Sequence, residues 1–233
     1  MATVIRFGSL CLDDSRIDIG SNYSSGKEIA ITPGNEISWV LTNGCFVADQ
    51  CLLVDISWDE LNAQNLVFGK EITVGNRRFR IRSLKVGHED EGSNEWDAAL
   101  TDVGDDNNIW HWDKIFFWGQ EACYGMPSSH AYRGYMSARF RAWGTSHIKR
   151  ANLGFRPVLE PLSSTKLSFG NTVCVVHGRS ILYGQLLDLT SYDIFLRTSP
   201  ASILEDESEG NWTRRLSDGA LIIDRAKTVI QKI

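Results

Sequence analysis

The chain contains no apolar run approaching the roughly 18 residues that a membrane-spanning helix requires. Its first thirty residues also lack the basic start and apolar block of a secretory leader. The expectation is a protein that neither spans a membrane nor is exported by a signal peptide. The five cysteines, Cys11, Cys45, Cys51, Cys123 and Cys174, include no Cys-x-x-Cys pair. They read as buried reduced thiols. A Cys45–Cys51 disulfide or zinc ligation with a distant His is the alternative, without the spacing that either needs. No Gly-rich phosphate loop is present, and none of His88, His111, His130, His147 and His177 forms a His-x-x-x-His pair. Ser128, Ser129 and His130 are adjacent but lack a nucleophile-elbow context. No catalytic residue and no cofactor is therefore assigned. Nor is there an excess of positive charge: 24 basic against 29 acidic residues give −5, which argues against general affinity for phosphate backbones or anionic lipid. A local basic face remains open.

What is present suffices for a substantial core. The 233 residues are 42% hydrophobic and 10% aromatic, enough for one large domain or two modest ones. Residues 1–34 read as an N-terminal hairpin or edge strands, beginning with strand formers from Thr3 to Leu12. Residues 35–162 carry buried strands over Ile37–Leu41 and Cys51–Ile56. Ser57 and Glu60 have capping-box spacing for a helix over Trp58–Asn65. Phe68–Val74 and Arg77–Leu84 flank Gly75 and Asn76 as a hairpin. Ser93 or Asn94 caps a second helix in which Trp96, Ala99 and Leu100 share one face. Residues 163–233 hold five β-prone segments, Thr172–His177, Ile181–Asp188, Tyr192–Arg197, Ala220–Asp224 and Thr228–Ile233, spaced as in a small barrel or sandwich. The polar run Glu205–Asn211 reads as an exposed loop.

The middle of the chain concentrates unusual chemistry. Trp96, Trp110, Trp112, Trp118 and Trp143, five of the eight tryptophans, fall within it, and large indoles organise a core where regular structure is sparse. Trp143, Tyr132 and Tyr135 have charged neighbours and are the rings expected at the surface. From Glu89 to Asp113 there are nine acidic residues and no Lys or Arg; from Ala122 to Leu159 there are six basic residues and no acid. These segments either neutralise each other in the fold or present a charged face to a partner. Asp102, Asp105 and Asp106 form a weak calcium candidate in a loop without EF-hand spacing.

The strings NEWDAAL, IWHWDKIFFWGQE, AYRGYMSARFRAW and NLGFRPVLEP, in that order, resemble C-type-lectin-like domains of the formylglycine-generating-enzyme type. That superfamily includes variable proteins of diversity-generating retroelements and proteins of phages and Firmicutes. The resemblance covers about Phe68–Pro161 and rests chiefly on Arg133 and Gly134 followed by Gly154, Phe155, Arg156 and Pro157. It implies an α+β fold with short helices and twisted antiparallel strands, followed by a small all-β barrel. Arg156 is expected to make a buried, multidentate contact. The resemblance also implies that residues between the two elements contact a ligand: Tyr135, Met136, Ser137, Arg139, Arg141, Trp143, Thr145, Ser146, His147, Lys149 and Arg150, with Tyr132 just before them as a further candidate. Tyr135 stands where the family has a second Gly, the oxidase members' cysteine pair is missing, and so is the Trp-Asn-Asp calcium motif of sugar-binding lectins.

The last segment resembles Sm-like small barrels, with Gly184 where a strongly bent strand needs it, and Ser191, Tyr192, Asp193, Asp224 and Arg225 in the RNA-contacting loops. The expected function is non-enzymatic binding of a protein or carbohydrate through the Tyr135–Arg150 surface, by a protein of phage or mobile-element origin acting in the host cytoplasm or on a virion. The alternatives are an intracellular anti-defence inhibitor whose acidic segment mimics nucleic acid, and an RNA- or DNA-binding protein using the C-terminal barrel. A formylglycine-generating oxidase is the weakest reading.

Overall fold

The computed structural model describes residues 2–87, 94–205 and 212–233. The strands, in chain order, begin with β1 (Thr3–Arg6), β2 (Ser9–Leu12), β3 (Ser15–Arg16), β4 (Ser21–Asn22), β5 (Ile29–Thr32), β6 (Ser38–Thr42), β7 (Cys45–Ala48) and β8 (Leu53–Val54). They continue with β9 (Lys70–Val74), β10 (Arg77–Ser83), β11 (Phe116–Cys123), β12 (Met126–Gly134), β13 (Arg141–Thr145), β14 (Leu153–Phe155) and β15 (Pro157–Pro161). The remainder are β16 (Thr172–His177), β17 (Ser180–Leu189), β18 (Asp193–Thr198), β19 (Thr213–Arg215), β20 (Leu221–Asp224) and β21 (Val229–Lys232). The helices are α1 (Trp58–Ala63), α2 (Glu95–Val103) and α3 (Asn107–Trp110).

With 50% strand and 10% helix, the fold is mainly β, a correction to the α+β expectation. The predicted helices do form, but each is short. The capping box of Ser57 and Glu60 starts α1, and Asn94 accepts from Asp97 N at the start of α2. The expected alternative cap, Ser93, lies outside the described residues. The bulk of the apolar and aromatic side chains falls on strands, whose pleat suits β-branched and ring side chains.

A first sheet, ordered β1-β6-β7-β15-β10-β9, is antiparallel throughout. A second, ordered β13-β12-β11-β14-β8-β4, has parallel pairs at β11/β14 and β4/β8. Trp39, Phe46, Phe79, Trp118, Phe155 and their neighbours fill a core that both sheets share. Trp96 and Trp110, under α2, form another with Phe117 and Val158.

Two expected strands are interrupted by backbone geometry. Thr3–Leu12 divides at Gly8, whose φ of +81° turns the chain, so that β1 edges the first sheet while β2 joins a three-stranded sheet with β3 and β5. Of Cys51–Ile56 only Leu53 and Val54 pair, since Asp55 takes a left-handed φ of +57°.

The third sheet, ordered β19-β20-β18-β17-β16-β21, is drawn wholly from residues 172–232 and encloses its own core of Val175, Leu182, Leu196, Trp212 and Ile223. All five predicted segments pair within it. Its end strands β19 and β21 do not pair with each other, so the expected barrel is an open half-barrel. Gly184 is required where β17 crosses β18: a Cβ there would lie 2.2 Å from the Arg197 carbonyl oxygen. Most of the predicted loop at Glu205–Asn211 lies outside the described residues.

Candidate functional site

The second sheet's face toward α2 is organised by Asp97. Its carboxylate accepts from Arg133 Nη2 at 2.7 Å and Arg141 Nη2 at 3.0 Å, and Arg139 Nη1 lies 3.6 Å away. Burial pushes the Asp97 carboxyl upward, but the Asn94 amide and the guanidinium groups of Arg133 and Arg141 more than offset it and hold it below the usual carboxylate range. Arg133 is 1% exposed and also donates to the carbonyls of Val86 and Arg139. The acidic and basic segments therefore meet in ion pairs inside the fold. Glu95 pairs with Arg82, and Asp102 with Arg179. Glu89, Asp90 and Glu91 lie outside the described residues, while Asp105, Asp106 and Asp113 point outward.

The Gly-Phe-Arg-Pro element supports this face from behind. Arg156 is fully buried, donates to the carbonyls of Asp49 (3.0 Å) and His111 (3.3 Å), and lies over the rings of Trp96 and Phe117. Multidentate contact is thus present, and its acceptors are main-chain carbonyls. Gly154 brings β14 against β8 so closely that a Cβ would sit 2.1 Å from the Leu53 oxygen. Phe155 is fully buried in the shared core, and Pro157 opens β15. At Gly134 (φ +106°) a Cβ would meet the Ile115 oxygen at 2.4 Å. Tyr135 follows with φ +76°, a left-handed backbone that non-Gly residues rarely adopt. Its ring stacks on Phe116 at 4.8 Å, and its N–H donates to the Trp112 and Ile115 carbonyls. Lys114 and His111, close by in the same corner, are also left-handed.

The predicted ligand-contacting residues separate into distinct groups. Tyr132 is a correction: it is 5% exposed, because strand alternation turns it inward, edge-on to Trp118 and Phe116. Lys149 donates to Ser25 Oγ and Glu60 Oε1, which ties it to α1. His147 and Arg150 are exposed in the loop after β13. Arg139 and Arg141 are held at Asp97. Tyr135, 37% exposed, and Met136, 62%, mark the end of β12.

Trp143 is the exposed one of two predicted aromatics beside a cavity; the other, Tyr132, lines it from the buried side. That cavity measures about 90 Å³ and is lined by Gly87, Cys123, Tyr124, Met126, Arg141 and Trp143, among others. Tyr124 is 88% exposed, Met126 44% and Trp143 42%, an apolar cluster at the mouth. Tyr124 and Met126 escaped the sequence reading. Their signal is local: large apolar residues flanking Gly125 at the tip of the β11–β12 hairpin, where polar turn residues are usual.

The weak calcium candidates do not converge. Asp102 accepts from Thr42 Oγ1, Asp106 caps α3, and Asp105 faces Arg139 at 3.9 Å. No cluster of three His, Cys, Asp or Glu side chains placed to hold a metal occurs among the described residues. None of the five cysteines forms a disulfide, and burial raises the Cys45 thiol pKa to about 12 and those of Cys51 and Cys174 to about 11. His130 is buried, stacked on Trp58 at 3.6 Å, with Nδ1 lacking a hydrogen-bond partner among the described residues; burial lowers its pKa against the opposing pull of Asp59. No helix among the described residues is long and apolar enough to cross a membrane. In the half-barrel, Ser191, Tyr192, Asp193 and Asp224 line an open groove of about 600 Å³ together with Trp212 and Arg214. No protein-family model, no curated protein and no solved structure matches this chain.

Proposed function

We propose that the chain is a non-enzymatic binding protein with a C-type-lectin-like middle region, encoded by a phage or other mobile element, that recognises a protein partner through the surface around Trp143. The carrying observation is the exposed cluster of Trp143, Tyr124 and Met126 around a cavity, with Arg141 at its wall. Aromatic and Arg side chains at a desolvatable pocket are the usual anchors of interfaces. The burial of Arg133 and Arg156 and the close backbone approaches at Gly134 and Gly154 support the lectin-like reading. The test is a protein pull-down and a glycan array run with the wild-type chain and with Trp143→Ala. Retention of protein partners by the wild type and their loss by the variant is the expected result. Binding of glycans alone would transfer the reading to carbohydrate, and partner capture indifferent to Trp143 would sink it.

A second reading, nucleic-acid binding by the half-barrel, is favoured by one observation: four of its five Sm-like loop positions line a single groove beside Arg214, with Tyr192 79% exposed for stacking on a base. The fifth, Arg225, donates to the Thr190 carbonyl instead. Salt-sensitive gel shifts of single-stranded RNA that vanish in Tyr192→Ala are the expected outcome for this reading; no shift at low salt removes it.

A further inference from the structure

We propose that β13 is an acceptor edge for an extended segment of the protein partner, which adds to the second sheet as one more strand and seats an apolar side chain in the Trp143 cavity. The inference rests on the binding-protein reading and specifies its mode.

The register carries it. β13 is the end strand of its sheet. Gly134 N donates to Phe140 O at one end of the β12–β13 ladder, and Ser146 N to Ser128 O at the other. Stepping between them, His130/Gly144 and Tyr132/Ala142 are the hydrogen-bonded pairs, while Ala131/Trp143 and Ser129/Thr145 are the non-bonded ones. The N–H and C=O of Trp143 and the N–H of Thr145 therefore point away from β12. Among the described residues nothing takes them up. An N–H and C=O on one residue, with another N–H two residues on, is the pattern that an antiparallel strand completes.

The edge also lacks the usual protection. Other end strands of the six-stranded sheets carry charge, namely Arg6 on β1, Lys70 and Glu71 on β9, Arg214 and Arg215 on β19 and Lys232 on β21, or are as short as β4. The only charge on β13, Arg141, is drawn to Asp97, and the most exposed side chain is Trp143. A residue added opposite Trp143 projects from the same sheet face as Trp143 and Arg141, the face that carries the cavity. Its walls of Tyr124, Met126 and Trp143 select an apolar side chain. A second copy of the chain is the weaker occupant, since two strands of this length bury far less than the roughly 800 Å² per partner of a stable interface.

The test selects short random linear peptides displayed on phage against the full chain, then measures synthetic versions of the enriched sequences by fluorescence anisotropy. Enriched peptides should share an apolar residue at one position. N-methylation at alternate residues should weaken binding about tenfold or more in one parity and leave the other within about twofold, the effect of losing one backbone bond. Thr145→Pro removes an outward N–H that lies outside the β12 ladder; it should weaken binding similarly while the thermal midpoint stays near wild type. Absence of enriched peptides overturns the inference. So does binding that ignores N-methylation but is lost in Trp143→Ala, which leaves the binding-protein reading intact. A concentration-dependent dimer abolished by Thr145→Pro would assign the edge to a second copy and overturn the peptide mode.

Discussion

Asp97, in the first turn of α2, and Arg133, in β12, form a 2.7 Å ion pair that fastens the helix to the second sheet. The helix start favours the carboxylate, and the 1%-exposed guanidinium has two carbonyls as its other acceptors. Asp97→Ala strands Arg133 without its counter-charge, and chemical denaturation should report a loss of about 3–5 kcal/mol. Because the folded pKa of Asp97 lies below its unfolded value, its contribution is complete above the unfolded pKa and is lost as pH falls through the folded one. A stability profile through the acid range should show that loss in the wild type and not in Asp97→Asn.

Arg156 should not tolerate lysine. A single ammonium cannot reach the Asp49 and His111 carbonyls together while lying flat over Trp96 and Phe117. Arg156→Lys is expected to cost at least about 2 kcal/mol in equilibrium unfolding, the penalty of an unsatisfied buried carbonyl and lost stacking.

Gly134 and Tyr135 are neighbours with positive φ but opposite expected outcomes. Gly134→Ala and Gly154→Ala drive a Cβ into main-chain oxygen, and each should cost about 1–3 kcal/mol. Tyr135→Gly relieves left-handed strain of about 1–2 kcal/mol. It forfeits a ring stack worth about 0.5–1.5 kcal/mol. Its melting temperature should therefore stay close to wild type.

His130 should make stability pH-dependent near neutrality. Its folded pKa is lowered by burial, so the unfolded chain binds the proton first. Stability is full above the unfolded pKa of about 6.5 and declines as pH falls toward the folded value. Urea midpoints across that window should slope in the wild type and flatten in His130→Phe.

Trp143 and Tyr132 should separate binding from folding. Trp143→Ala is expected to change stability by no more than about 0.5 kcal/mol. Tyr132→Ala, which empties a core position, should cost about 3–5 kcal/mol in the same assay.

Much of the local structure was legible in the residues. The Ser57–Glu60 box, the Asn94 cap, the Gly75–Asn76 hairpin and the five C-terminal segments are written in short-range chemistry, where caps and alternation act within a few residues. The mainly β class was not, because two visible helix signals weigh as much in a sequence as strands whose short runs, such as β7 and β14, carry too few residues to show a period.

By itself the sequence set an acidic segment before a basic one without deciding whether they pair, concentrated the tryptophans where a core was expected, and marked Gly134, Gly154 and Arg156 as demanding positions. Only the tertiary structure decided which charges are consumed: Asp97 gathers Arg133, Arg139 and Arg141 from residues 36 to 44 positions away. It also turned Tyr132 inward and Trp143 outward, and raised Tyr124 and Met126 beside it. The reason is physical: which side of a strand is covered, and which edge is left open, depends on the partner strands and the register, and those contacts join residues far apart in the chain.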